Sequence, residues 1–377
     1  MVPWRRATRE NSIQQDGGGL MGKRALVTGA NGFTGTHMVE YLFSQGWEVV
    51  ATDIRREERG SYYCEEGDLH PSYFEGYSER TASRFVTADL TDKESLLPLF
   101  DQHYDVVFHV ASLYDYFAQW DELSRVNVTG ARNLGEVAAE AGVGRFILWS
   151  TEGVYGDQDH HSIDEDAPHN PSNLYCKSKA AQEEVMWELH AEHGLPLTVV
   201  RPGPIYGPRH TYGVYHILYA LEKMGTGVVI SLFPKKYNLT FPSVHVKDLT
   251  RAALYVAERD QAEGEAYNVL SDCIPQVELM EFLCGALGME RWGRVPVWWP
   301  LYKAGAGIGL KYVRWLDRRA RSKGARPKID VPMIEYMTHH YEFSNQKIKD
   351  LGFEFIYQDP RRGLWDYITW CKDRGWL

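Results

Sequence analysis

Hydrophobic and polar positions change rhythm twice along the chain. Arg24-Ala25-Leu26-Val27-Thr28 is a short apolar run broken at Gly29, the pattern of a buried strand. Met38, Val39, Leu42 and Phe43 then recur at helical spacing, and Trp47 to Thr52 predicts a second strand. Four further runs, Arg84–Thr87, Val106–Val110, Phe146–Trp149 and Leu197–Val200, read as strands, with helix-forming stretches such as Val128–Ala141 between them. Six strands alternating with helices predict an α/β fold built on a doubly wound parallel sheet. Ligand chemistry then gathers at the carboxyl ends of its strands.

After Arg201-Pro202-Gly203-Pro204 the alternation is lost. Residues 207–241 and 272–377 mix short apolar runs with Pro and Gly and hold most of the tryptophans. The expected organisation is a flexible extension over 1–20 and a sheet domain over 21–206, to which 242–271 returns. A smaller, mixed substrate domain is expected from 207–241 and 272–377. Residues 55–83 form a long polar and aromatic insertion without an assignable pattern.

Composition excludes some classes. With 51 acidic against 41 basic side chains, the net charge of −10 argues against a nucleic-acid partner, whose phosphates call for many cations. Five cysteines without a CxxC pair favour free thiols in a reducing compartment over a disulfide framework or a metal site. The first 20 residues lack the apolar core of a signal peptide, and no run of about 18 apolar residues predicts a membrane span. A cytoplasmic protein is expected.

The total charge conceals an asymmetry. Residues 295–328 carry nine basic side chains and one acid, Asp317, a net of +8 that leaves −18 for the rest. At ~100° per residue, Lys311, Arg314, Arg318 and Arg321 share one helical face, and Ile308, Tyr312, Trp315 and Leu316 another. With Trp298 and Trp299 just ahead, this segment reads either as a peripheral membrane contact or as a lid helix over the site. A homodimer stays open.

Candidate chemistry lies at strand ends. Thr28-Gly29-Ala30-Asn31-Gly32-Phe33-Thr34-Gly35 spaces glycines as GxxGxxG between a strand and a helix, where backbone approaches a pyrophosphate facing the helix amino end. Asp53 ends the second strand, 24 residues beyond Gly29, where an acid accepts bonds from an adenosine ribose. Such an acid repels a 2′-phosphate, so NAD is favoured over NADP, although Arg55 and Arg56 pull the other way. Tyr175 and Lys179 form a YxxxK pair, one helical turn apart, and a lysine beside a phenol favours phenolate. Tyr219 and Lys223 share that spacing. Only Tyr175 follows a hydroxyl-bearing strand end, Trp149-Ser150-Thr151, by 24 residues counted from Thr151.

The chain resembles the extended short-chain dehydrogenases/reductases, a family that includes sugar-nucleotide epimerases and dehydratases. The match runs from about 23 to 270. It rests on Thr28 to Gly35, Asp89-Leu90, His109-Val110-Ala111, Asn127, Ser150-Thr151 with Val154-Tyr155-Gly156, Tyr175, Lys179, Arg201-Pro202, Val244-His245-Val246 with Asp248, and Tyr267-Asn268-Val269. The resemblance implies a Rossmann sheet and an NAD cofactor contacted by Gly29, Gly32, Phe33, Thr34, Gly35 and Asp53. Asp89 and Leu90 would flank the adenine, Val110 and Ala111 the cofactor path, and Pro202 the carboxamide. It implies Thr151, Tyr175 and Lys179 as catalytic residues, with Lys179 on the nicotinamide ribose. Asn127, His109, Tyr155, His245 and Asp248 read more simply as structural.

Three reactions use this scaffold. The dehydratases carry Asp-Glu after the strand-five hydroxyl, where this chain has Glu152-Gly153. An epimerase needs cations for a nucleotide diphosphate, and Arg209 and His210 are placed to supply them. Aromatic and apolar residues after the fourth strand, Tyr114 among them, suit a hydrophobic substrate. Late segments such as Val295-Pro296-Val297-Trp298-Trp299 resemble the 3β-hydroxysteroid dehydrogenase and dihydroflavonol reductase branch. The leading reading is an NAD-dependent oxidoreductase interconverting a secondary alcohol and a ketone on a hydrophobic, steroid-like or other cyclic substrate by hydride transfer, with Tyr175 as acid/base. A 4-epimerase of nucleotide sugars and a non-enzymatic NAD(H) sensor are the alternatives. Tyr114, Glu152, Arg209 and His210 are the candidate substrate contacts.

Overall fold

The structure is a computed structural model that describes residues 22–54, 84–156, 162–224, 229–234, 239–289, 292–323, 331 and 341–377. The insertion at 55–83, the two arginines at its start and the first 20 residues lie outside them. In chain order the main elements begin with β1 (Arg24–Thr28), α1 (Phe33–Ser44), β2 (Glu48–Asp53), β3 (Arg84–Thr87), β4 (Val106–His109) and α2 (Gly130–Glu140). There follow β5 (Phe146–Trp149), α3 (Leu174–His193), β6 (Leu197–Pro202), α4 (Val214–Met224), β7 (Val229–Pro234) and α5 (Val246–Ala257). The chain ends with β8 (Glu265–Val269), α6 (Gln276–Ala286), β9 (Trp292–Val297), α7 (Trp299–Arg321) and α8 (Pro360–Asp373).

Seven strands form one sheet in the order β8-β6-β5-β4-β1-β2-β3, every pairing parallel. The six runs read from the sequence are six of these strands, with shifts of one or two residues at their ends. The seventh, β8, escaped recognition as a strand, although its segment was expected to return to the sheet. Alternate side chains of each strand feed opposite faces. Ala25, Val27, Val49 and Ala51 pack with α1 and α5, whereas Leu26, Val50, Val107 and Leu148 pack with α2 and α3. Both faces are covered, which is why the strands read as continuous apolar runs.

A smaller core joins α4, α6 and α8 through Leu218, Leu279, Leu283, Leu364 and Tyr367. It is fastened to the sheet by buried polar groups. Asp248, in the first turn of α5, accepts the N–H groups of Ile356 and Tyr357 at 2.8 Å each. His245, the N-cap of α5, lies 3.4 Å from Asp366 on α8. Beside this core β7 and β9 pair in parallel, and α7 packs on β7.

Candidate active site

The strand order reverses between β1 and β4, and there the carboxyl ends open into a cavity of about 820 Å³. The turn after β1 forms one wall. Gly29 has φ +66°, and a Cβ there would lie 2.7 Å from the Ala111 Cα. At Gly35 a Cβ would lie 2.0 Å from the Gly29 carbonyl oxygen. Only glycine tolerates either position, so the turn closes tightly and the amino end of α1 faces the cavity. Gly29, Gly32, Phe33, Thr34 and Gly35 all line it.

Asp53 lines the cavity at the end of β2. Its carboxylate accepts the Asn31 N–H at 3.0 Å and the Ile54 N–H at 2.8 Å, which braces it against the glycine turn. Asp89, Leu90, Val110, Ala111 and Pro202 line the same space. This is a cradle that fits a dinucleotide: an uncrowded backbone turn at a helix amino end, with an acid one strand away.

Thr151, Tyr175 and Lys179 line the cavity together. The start of α3 is set by Asn173, whose side chain accepts the Cys176 N–H at 2.9 Å. Tyr175 is 8% exposed, with its ring edge-on to Tyr114 and Tyr116 at centroid distances of 4.9 and 5.4 Å. Lys179 is buried, and its Nζ donates to the Trp149 carbonyl at 2.7 Å and to Gln182 Oε1. The bond to Trp149 ties the lysine to the strand end that presents Thr151. Burial lowers the Lys179 pKa to about 7, opposed by the nearby Glu183 charge. Thr151 Oγ1 accepts the Gly153 N–H at 3.2 Å, and its own proton stays available to an oxygen in the cavity.

Behind these residues runs a polar chain that spacing rules do not reveal. Gln182 Nε2 lies 3.2 Å from His109 Nε2, and His109 Nδ1 lies 2.9 Å from Thr28 Oγ1, which also accepts the Ala111 N–H at 3.2 Å. Burial, with the Lys179 charge, lowers the His109 pKa to about 3, so the ring is neutral. The network then assigns its proton to Nδ1, since Gln182 donates to Nε2 and accepts from Lys179. Glu183, also missed in the sequence, is buried against Arg201 Nη2 at 2.7 Å and accepts from Ser150 Oγ. These side chains share no motif, and only the packing of α3 against β4, β5 and β6 brings them together.

The remaining candidates divide. Tyr114 and His210 line the cavity, and His210 stacks on Phe33 at 4.7 Å, with burial lowering its pKa to about 3. Arg209 and Glu152 are not among the lining residues. Arg209 Nη1 donates to Glu40 Oε1 on α1 at 2.8 Å, so its charge is spent on an ion pair. Glu152 is 1% exposed, neither of its oxygens has a hydrogen-bond partner among the described residues, and burial pushes its pKa well up. Tyr219 is 43% exposed on α4 with Lys223 over its ring, and neither residue is among those lining the cavity. Asn127 is buried, donating to Ser178 Oγ at 2.9 Å and accepting the Leu113 N–H at 2.7 Å, an anchor for the loop after β4. Among the described residues no His, Cys, Asp and Glu cluster could hold a metal ion.

The model of the "NAD dependent epimerase/dehydratase family" matches residues 25–269. Cinnamoyl-CoA reductase 1 of Arabidopsis thaliana is 29% identical over 367 residues, 94% of this chain and 91% of the relative. A dTDP-D-glucose 4,6-dehydratase of Mus musculus is 31% identical over 52% of this chain and 53% of its own. The decarboxylating sterol-4-alpha-carboxylate 3-dehydrogenase of Bos taurus is 28% identical over 66% of this chain and 65% of its own. Among solved structures, a UDP-glucose 4-epimerase of Thermotoga maritima aligns with TM-score 0.67 at 22% identity, covering 93% of this chain and 99% of that one.

Proposed function

The chain belongs to the NAD dependent epimerase/dehydratase family, the extended short-chain dehydrogenases/reductases, and from that premise we propose that it interconverts a secondary alcohol and a ketone on a hydrophobic substrate. Enzymes of this family depend on NAD or NADP, and the cofactor proposed here is NAD, on the strength of Asp53 at the end of β2. Residues 207–241 and 272–377 are assigned to substrate binding.

One observation carries the substrate class. The part of the cavity beyond Tyr175 is walled by Leu113, Tyr114, Tyr116, Tyr212, Val214 and Ile217. Between Pro202 and Phe241 the described lining contains no Lys or Arg, because Arg209 is held by Glu40. Among the described residues a diphosphate in that region would meet no Lys or Arg, whereas a ring system would bury its surface against the aromatic wall. Gly153 stands where the dehydratases carry a glutamate, which argues against elimination of water.

The glycine turn and Asp53 would hold the two ends of the adenosine diphosphate moiety, and Lys179 would hold the nicotinamide ribose. When bound, the nicotinamide supplies or accepts the hydride. Thr151 donates to the substrate oxygen and fixes its position. Tyr175 takes the hydroxyl proton during oxidation and returns it during reduction, and the Lys179 charge stabilises the phenolate in between. The aromatic edges of Tyr114 and Tyr116 keep water from the phenol.

The test is a panel of cyclic secondary alcohols, 3-hydroxysteroids included, assayed with NAD⁺ for nicotinamide absorbance and set beside UDP-sugars. Turnover of the alcohols is the expected result. No reduced nicotinamide, together with isomerised UDP-sugar and NAD retained through purification, would establish the epimerase instead.

A further inference from the structure

Helix α7 is placed on the molecule in a way that its internal packing does not explain. Its inner side is marked by Val313, 8% exposed. Leu301, Ile308, Tyr312 and Trp315 are 63, 70, 59 and 50% exposed, and at ~100° per residue they fall within about 60° of one another. Trp298, at the head of the helix, is 70% exposed. Soluble proteins seldom leave so many large apolar side chains in one exposed row.

Beside that row runs a cationic one. Lys303, Lys311, Arg314 and Arg318 fall within about 80° of one another, and the direction pointing away from Val313 lies between the two rows. Residues 299–321 hold six Lys and Arg and one Asp, a net of +5, against −15 for the rest of a chain whose total is −10. The aromatics are arranged with the charges: Lys303 lies over the Trp299 ring at 5.2 Å and Arg319 over the Trp315 ring at 5.3 Å. Gly305, Gly307 and Gly309 add a second observation. A Cβ at any of them would meet nothing within 4 Å, so packing inside the chain does not require glycine there. They weaken the helix and leave a low, smooth stretch of backbone on it.

We propose that α7 is a docking surface for an anionic phospholipid bilayer. The helix lies in the plane of the interface, with its apolar row among the upper acyl chains and its cationic row on the headgroups. It does not cross, for no described helix is long and apolar enough to span a membrane. Charge decides the partner: the +5 face is drawn to a negative surface, and the −15 body is held away from it, which orients the molecule. A second copy docking the same face on itself would set these cations against their own kind. The docking stands independently of the reaction, so its failure and that of the proposed activity are separately visible.

The test is flotation of the full chain with vesicles of phosphatidylcholine containing about one-third phosphatidylserine. Binding is expected at low salt, falling about tenfold or more as ionic strength rises from roughly 50 to 300 mM, and absent on pure phosphatidylcholine. The double variant Ile308→Ser/Trp315→Ser and the double variant Arg314→Glu/Arg318→Glu should each lose it. All four side chains are exposed, so the melting temperature should be unmoved. Absence of vesicle binding by the wild type overturns the proposal. So does a concentration-dependent dimer in sedimentation that Ile308→Ser/Trp315→Ser abolishes while flotation persists, since the apolar row would then be a contact between copies.

Discussion

Glu152 provides a sharp test of how this site is built, because it follows Thr151 directly and yet lies outside the cavity. Burial raises its pKa first, and the charge of Glu165 raises it further. A carboxyl whose folded pKa lies above its unfolded value binds the extra proton in the native state. The stability it permits is complete below the ordinary carboxylate pKa, about 4.5, and declines as pH rises toward the folded value. The decline is about a factor of ten in the folding equilibrium per pH unit, so about a thousandfold is the ceiling between pH 5 and 8. Glu152→Gln keeps the shape and cannot ionise. Its urea midpoint should equal the wild type's near pH 5 and exceed it by a growing margin toward pH 8. Glu152→Leu also removes the unpaired polar atoms, and should stabilise by about 1–3 kcal/mol more. Turnover in Glu152→Gln should remain within about tenfold of wild type. Parallel pH–stability curves would refute the burial argument, and a roughly thousandfold loss of turnover with an intact fold would make Glu152 an acid of the reaction.

Four further outcomes are expected. Tyr175→Phe should lower kcat by about 10²–10⁴ with NAD binding retained, and turnover near wild type would remove Tyr175 from the mechanism. Asp53→Ala should narrow the ratio of kcat/KM for NAD over NADP by about 10–100-fold, and an unchanged ratio would show that the acid does not read the ribose. Gly35→Ala drives a Cβ into the Gly29 carbonyl and should cost about 1–3 kcal/mol and at least tenfold in NAD affinity; Gly285→Ala on α6, where nothing lies within 4 Å, should be neutral or stabilising by up to about 1 kcal/mol. Gln182→Leu takes an acceptor from buried Lys179 and should move the alkaline limb of the kcat profile to lower pH, whereas Gln182→Glu should move it up, and coincident profiles would disconnect Gln182 from the lysine.

The parts of the site legible in the sequence are those in which one residue type answers a local demand. Glycine at 29 and 35 is forced by sterics within a single turn, so spacing reveals it. Tyr175 and Lys179 share their spacing with Tyr219 and Lys223, and only the strand end Ser150-Thr151 ahead of them told the two pairs apart. Five of the recognised strands, β1, β2, β4, β5 and β6, were legible because burial on both faces leaves uninterrupted apolar runs, whereas β3, at the sheet edge with its ends exposed, was legible only through Phe85 and Val86. β8 was harder: Glu265-Ala266-Tyr267-Asn268-Val269 carries polar residues, and its Asn268 is buried to serve Tyr155, accepting its hydroxyl at 2.8 Å. Arg209 misled because a cation beside an expected site looks available until its partner is known. That partner, Glu40, lies 169 residues earlier on α1. No local rule connects them.

The same reasoning explains why Gln182 stayed hidden and why it matters to the fold of the site. The glycine turn and the helix that carries Tyr175 and Lys179 lie about 140 residues apart in sequence, and each could be correct while their relative placement was wrong. Thr28 stands at the end of β1 and Gln182 in the middle of α3, and neutral His109 from β4 bonds to both. A neutral imidazole can bridge them only in one tautomer, receiving from the amide and donating to the hydroxyl. An alternative register of α3 on the sheet would leave two buried polar groups unpaired, at about 1–3 kcal/mol each. The hydroxyl that receives the Ala111 N–H beside the cofactor turn is thereby linked, through two side chains, to the ammonium group that sets the charge next to Tyr175. The register of the glycine turn against Tyr175 and Lys179 is thus fixed by hydrogen bonds that lie behind the cavity.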